Sequence, residues 1–180
     1  MGSGTATMVG EAAPGLELPD TDGNARALPE PGETLATVVI WTCNHCPYAI
    51  GWHDRIVAAA RDYADRGVRF LAVNSNDPDR YPDDALEAMR ERVGREDWPF
   101  PYLYDESQQA AREWNAQVTP HLFVLDSERT VRYEGAPDAD HMDPSLDAAW
   151  LRQALDAVLA GAQPDPDATD PVGCSIKWRQ

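Results

Sequence analysis

The sequence predicts an α/β domain in which helices flank a central mixed β-sheet. Three observations carry this prediction. Two uncharged or nearly uncharged apolar runs, TVVIWT at 37–42 and VRFLAVN at 68–74, have the composition of strands buried on both faces. A helix-periodic stretch lies between them, and strand, helix, strand in that order makes a parallel pair with a right-handed crossover. Two later runs, 121–125 and 130–133, are joined through Asp126, Ser127, Glu128 and Arg129 as an antiparallel hairpin, so both kinds of pairing enter the sheet. At 180 residues the chain is long enough for one real core and too short for two domains of ordinary size.

Taken in order, short apolar stretches between Leu16 and Leu28 flank the turn signal Asp22, Gly23, Asn24 and predict an N-terminal β-hairpin. After the first buried strand, Ile50, Ile56, Val57, Ala60, Tyr63 and Ala64 recur at helical spacing over 50–66, and Gly67 supplies a stop. Residues 75–84, SNDPDRYPDD, read as a loop; the spacing of Asp77, Asp79, Asp83 and Asp84 fits no EF-hand, so they are expected as solvated acids. A helix over 85–93 closes at Gly94, PFPYLYD at 99–105 is extended, and a short helix covers 108–114. Over 145–160, Leu146, Ala149, Trp150, Ala154, Leu155, Val158 and Leu159 form the buried stripe of an amphipathic helix. Trp98, Trp114 and Trp150 are expected to fill the core. The Pro- and Asp-rich stretch 163–171 is expected to be irregular. The organisation that follows is a flexible N-terminus at 1–9, one domain over 10–162, and a tail at 163–180 that carries Cys174.

A net charge of −16 argues against nucleic acid and anionic membrane as partners, because both would be repelled. Lys177 is the sole lysine. An acidic, lysine-poor surface suits a salt-rich cytosol, where screening relieves self-repulsion; a GC-rich genome would equally explain the scarcity of lysine codons. No apolar run approaches the roughly 18 residues of a membrane span. The N-terminal MGSGTATMVGE has neither the basic nor the apolar region of a secretory signal, so the expected location is cytoplasmic. Three cysteines are too few and too unevenly placed for a secreted disulfide framework.

Two of them, Cys43 and Cys46, form a C-x-x-C where a buried strand hands over to a helix. That position is expected to put Cys43 at the helix N-terminus, where unpaired N–H groups and the macrodipole favour the reactive thiolate. Cys43 is then the nucleophile, and Cys46, one turn on, the more buried resolving partner. His45 can donate a hydrogen bond or a positive charge to the thiolate, and Pro47 falls in the first turn, where its missing N–H costs least. Asn44 completes the residues expected to tune the pair. The alternative is half of a zinc or iron–sulfur site, a metal-binding or metallochaperone module whose further ligands would come from Cys174, His53, His121 or His141.

The motifs WTCNHCPY (41–48), FLAVNSND (70–77), Tyr81 with Pro82, PFPYLYDE (99–106), VTPHLFVLD (118–126) and PVGCSIKW (171–178) resemble those of thioredoxin-fold redoxins. Within that superfamily they are similar to the peroxiredoxin-like group related to the AhpC/TSA and thiol-disulfide reductase branches, over about residues 10–178. The resemblance implies a thioredoxin-like fold with an N-terminal hairpin and a mid-chain insertion. It implies thiol-disulfide exchange on protein or small-molecule disulfides, electrons from a cellular dithiol donor, and no tightly bound cofactor. It also implies that Pro120 is cis and that the backbone of Thr119 pairs with an incoming extended peptide.

The sequence departs from peroxiredoxins in one respect. They carry P-x-x-x-[ST]-x-x-C, whereas counting back from Cys46 finds Cys43 and Val39, and from Cys43 finds Ile40 and Ala36. The residue after the proline is His121, so no polarising Arg is evident there, and a peroxiredoxin-like thiol peroxidase is the second enzymatic reading. Trp41 lies two positions before the first cysteine, so a docking role does not carry over from W-C-G-P-C thioredoxins. His121 either lines the site or is a satisfied strand residue. For Cys174 two outcomes are open. Ile176 and Trp178 give the tail an apolar face that favours docking, either within reach of Cys43 and Cys46 as an alternative disulfide partner or as a packed, inert thiol.

Overall fold

The computed structural model describes residues 7–180 and begins with a hairpin of β1 (Glu17–Pro19) and β2 (Ala25–Ala27), antiparallel with Leu18 opposite Arg26. Next come β3 (Ala36–Trp41), α1 (Pro47–Tyr63), a 3₁₀ turn and β4 (Val68–Asn74). A second 3₁₀ turn, Pro82–Asp84, leads into α2 (Leu86–Glu96), β5 (Tyr102–Tyr104) and α3 (Gln109–Glu113). The chain closes with β6 (Val118–Thr119), β7 (His121–Asp126), β8 (Val131–Gly135), α4 (Ala149–Leu159) and β9 (Cys174–Ser175). The main sheet has five strands in the order β5-β4-β3-β7-β8. Strands β3, β4 and β5 are parallel, and β7 and β8 are added antiparallel, which makes the expected mixed sheet.

All six residues of β3 are buried, because side chains alternate between two covered faces. Val38 and Ile40 pack with Trp52 and Ile56 of α1, Met89 of α2 and Leu151 of α4. On the other face Val39 and Trp41 meet Trp114, Phe123, the hairpin residues Leu16 and Leu28, and Ile176 of the tail. Trp98 and Trp114 are buried and Trp150 packs partly into the core, as their spacing suggested. Among the described residues no helix is long and apolar enough to cross a membrane.

Several boundaries differ from the sequence reading, each for a local reason. Helix α1 starts at Pro47, whose ring presets the helical backbone, and Ile50 lies on its exposed side. Helix α2 runs through Gly94 and stops at Asp97, which takes the left-handed conformation (φ 52°) while Trp98 N–H bonds to Val93 O. Helix α4 begins at Ala149, because Asp143 holds Ser145 in a turn and Ala148 N–H bonds to Asp138 Oδ2; Leu146 therefore lies outside the helix. The acidic loop is not uniformly solvated: Asp77 and Asp84 are buried. Residues 163–171 form no helix or strand, yet Thr169 bonds to the backbone of Glu134 and Ala136. Residues 1–6 of the expected flexible terminus lie outside the described residues, and Met8 and Val9 pack against the core.

His53 sits on α1 against Trp98 with ring centroids 4.7 Å apart, and burial pulls its pKa down from 6.5 to about 4. A depressed histidine contributes stability that is present above its unfolded pKa and lost as pH falls through the folded one. In urea titrations the stability advantage of the wild type over His53→Gln should therefore shrink between pH 6.5 and about 4, by on the order of 3 kcal/mol. An advantage independent of pH would show that the ring does not titrate in this window.

Candidate active site

Parallel pairing sets Trp41 opposite Val73, so the chain leaves β3 beside the end of β4, and Thr42 N–H bonds to Val73 O at 2.9 Å. Residues 43–46 are thereby brought against the polar residues that follow β4. The N-cap of α1 is Cys46, in extended conformation (φ −80°, ψ 125°), with Pro47 at the first helical position. This corrects the expected placement of Cys43 at the helix N-terminus. The α region is disfavoured for the residue before Pro47, so the helix starts one turn later, with Cys46 at its N-cap.

A buried polar framework holds the loop between the cysteines. Asp84, fully buried, accepts from Asn44 N–H at 2.7 Å, from Asn74 Nδ2 at 3.1 Å and from Asn76 Nδ2 at 3.1 Å. Asn44 spends its side chain here too: Nδ2 donates to Asp83 O, and Oδ1 accepts from Arg92 Nη1 at 2.9 Å and Tyr102 OH at 2.9 Å. Arg92 also donates to Cys43 O at 3.0 Å and lies over Trp98. Burial pushes the Tyr102 hydroxyl well up, which keeps it a donor. The His45 ring stacks on Tyr81 and keeps a nitrogen within 4.8 Å of Cys43 Sγ, while Nδ1 comes within 2.5 Å of Asp84 Oδ2, although off the hydrogen-bonding direction.

Both cysteines of the pair are buried and meet on one residue across the Thr119–Pro120 peptide, which is cis as the resemblance implied. Cys43 Sγ lies 3.3 Å from Thr119 Oγ1, and Cys46 Sγ donates to Thr119 O at 3.3 Å. The two thiols titrate as a unit. The Cys46 pKa is lowered, first by a hydrogen bond from the Cys43 thiol and further by the Cys174 thiol and the Ala49 N–H. These donors, with the Thr119 hydroxyl, outweigh burial, which opposes the anion. The Cys43 pKa is raised by that same bond to Cys46, by burial and by the negative charge of Asp84. Both shifts point the same way, with the charge of the pair favoured on Cys46 and the proton on Cys43.

Other expected residues fall elsewhere. His121 is buried between β7 and β8, where Gln117 N–H bonds to Nδ1 at 3.2 Å and Glu134 Oε1 meets Nε2 at 3.1 Å; it belongs to the strand framework. Trp41 is in the core, with its Nε1 donating to Ser75 Oγ. Cys174 does reach the pair and packs against Cys43, Cys46 and Ala49. The metal-ligating atoms that converge are those of Cys43, His45 and Asp84, all within 4.8 Å of one another, not the two cysteines with a histidine. With three N–H donors already on its carboxylate, Asp84 serves the loop.

The site is therefore a buried dithiol that converges on the residue before a cis proline, just beyond the end of the middle strand of a mixed sheet. The Redoxin family model matches residues 8–150. The chain belongs to the Redoxin family. Among solved structures, this redoxin is similar to an uncharacterized conserved protein from Geobacillus kaustophilus, with 35% identity, TM-score 0.91, and coverage of 97% of this chain and 94% of that one. A hypothetical protein from Sinorhizobium meliloti 1021 is similar at 34% identity and TM-score 0.91, covering 97% of each chain. The peroxidoxin BcpB from Mycobacterium tuberculosis shares the fold at 16% identity and TM-score 0.63, covering 86% of this chain and 96% of that one. The search of curated proteins returned no match.

Four residues of the redoxin site escaped the sequence reading: Asp84, Arg92, Tyr102 and Tyr81. The available signal was the polar run Asn74, Ser75, Asn76, Asp77 directly after a buried parallel strand. Such residues lie at the same sheet edge as those following the neighbouring strand.

Proposed function

We propose that this redoxin is a thiol-disulfide oxidoreductase acting on protein or small-molecule disulfides through Cys43 and Cys46. The observation that carries the reading is the pairing of a helix-capped Cys46 with a second buried thiol on the same residue, Thr119. In the reduced enzyme the Cys46 thiolate attacks one sulfur of a substrate disulfide, forming a mixed disulfide, and the other substrate sulfur leaves as a thiolate that takes up a proton. Cys43 then loses its proton and attacks Cys46 Sγ. The Cys43–Cys46 disulfide forms, the second substrate thiol leaves, and a cellular dithiol returns two electrons and two protons. Asn44, His45 and Pro47 act through the loop they hold, and Thr119 supplies polar contacts to both sulfurs.

Peroxide reduction is the second reading. Against it stands Arg92, whose Nη1 is engaged by Cys43 O and Asn44 Oδ1 and not turned to a thiol. The test supplies reduced protein with a model protein disulfide, or with hydrogen peroxide, and a dithiol donor. Turnover of the disulfide well above that of peroxide is expected, and the reverse order would make the protein a peroxidase. Limiting iodoacetamide followed by peptide mapping identifies the thiolate: Cys46 should be alkylated first, with a rate that stays flat well below the ordinary thiol pKa of about 8.5. Preferential labelling of Cys43 would reverse the roles.

A further inference from the structure

Strand β9 runs antiparallel to β6, with Cys174 opposite Thr119 and Ser175 opposite Val118. Thr119 is the residue on which both thiols of the pair converge, so this register sets the tail cysteine over the dithiol. Cys174 packs against the buried patch of Cys43, Cys46 and Ala49. Close packing and hydrogen bonds hold the tail in this register, so substrate reaches the buried pair when the tail lifts. A Cβ at Gly173 would lie 2.1 Å from Thr119 O, so only glycine lets the strand approach so closely. Beyond the cysteine, Ile176 is buried, Lys177 N–H bonds to Asn76 Oδ1 at 2.8 Å, and Lys177 O accepts from Asp77 N–H at 2.8 Å. Gln108 ties the strand down from the far side, with Nε2 donating to Lys177 O and Oε1 accepting from Arg179 N–H.

An extended segment added to a strand, with one sulfur facing the dithiol, has the form of a bound peptide substrate. We propose that Cys174 is a third redox cysteine of this site, an internal thiol that exchanges with the Cys43–Cys46 disulfide to give a Cys46–Cys174 disulfide. The step needs no added oxidant. Cys174 gives up its proton and attacks Cys46 Sγ; the Cys46–Cys174 bond forms, the Cys43–Cys46 bond breaks, and Cys43 leaves as a thiolate that takes the proton. In the reduced protein, burial and the neighbouring Cys46 push the Cys174 thiol up to about 11. The influence of Cys46 disappears once it is held in a disulfide, which leaves burial as the main cause that holds the Cys174 thiol up. The inference rests on the redox-active dithiol proposed above.

Trypsin separates the sites, because peptide 27–55 carries Cys43 and Cys46 and peptide 153–177 carries Cys174. Protein oxidised with one equivalent of diamide and digested without reduction should show the internal 43–46 disulfide together with a crosslink between the two peptides. In Cys43→Ser the crosslink should be the main product of monomeric protein, and adding Cys174→Ser should eliminate it. Cys43→Ala repeats the test should the serine variant fold poorly. The proposal is overturned if the wild type forms the 43–46 disulfide while both Cys43 variants leave Cys174 reduced or link only between molecules. A wild type that never forms the 43–46 disulfide, with the crosslink present in the Cys43 variants, would instead overturn the dithiol reading and the exchange built on it.

Discussion

Cys46→Ser is expected to lower disulfide turnover by about three orders of magnitude or more, because it removes the thiolate that the first turn of α1 stabilises. A serine hydroxyl has the same shape but stays protonated, so fold and tail docking should be kept while chemistry stops. Cys43→Ser should behave differently: the first attack proceeds, and a mixed disulfide forms on Cys46. Its release then depends on Cys174, so Cys43→Ser combined with Cys174→Ser should hold the substrate covalently, as a mass increase that reductant reverses. Steady-state turnover and intact mass together check this. Equal losses in Cys46→Ser and Cys43→Ser, with no trapped adduct in the double variant, would remove the assignment of Cys46 as nucleophile.

Asp84→Ala should destabilise the protein by about 3–5 kcal/mol, near the cost of breaking a buried ionic network. The carboxylate accepts from Asn44 N–H, Asn74 and Asn76, all around a group with no exposure, and alanine would remove this acceptor from all three, leaving Asn74 Nδ2 only its bond to Tyr102 OH. For a chain of 180 residues the loss corresponds to a fall in Tm of roughly 10 °C. Asp79→Ala is the internal control, since its side chain is 84% exposed and should change stability by no more than about 0.5 kcal/mol. Denaturant midpoints of the two variants decide the matter. Similar midpoints would mean that Asp84 is not the keystone of the loop, whereas the expected gap would also explain why residues 43–46 stay ordered without secondary structure of their own.

Much of the architecture was legible because burial writes itself into short sequence windows. The runs at 37–42 and 68–74 are rich in apolar and β-branched residues, with Arg69 their one charge, as a strand covered on both faces requires, and both are strands here. The hairpin at Asp22 to Asn24 and the β7–β8 hairpin followed from turn chemistry, which is equally local. Helix ends were read less well. Gly94 looked like a stop but was carried through by the turn around it, and the start of α4 was set by Asp138 and Asp143, which act from outside the helix.

Local patterning alone pointed to an α/β domain with a C-x-x-C at a strand-to-helix junction and a tail with an apolar face, and the family resemblance added the cis proline at Pro120. The tertiary contacts settled which cysteine stands at the N-cap, which two of the four loop aspartates are buried, and where the tail thiol goes. The reason is that these are questions of registration between segments far apart in the chain. Asp84 reaches residue 44 because β3 and β4 end side by side, and Cys174 reaches Cys46 because β9 pairs with β6 in one register and Gly173 permits that approach. A carboxylate in a loop, or a cysteine near a terminus, has the same local signature whether solvent or a thiol faces it, and packing alone separates the two.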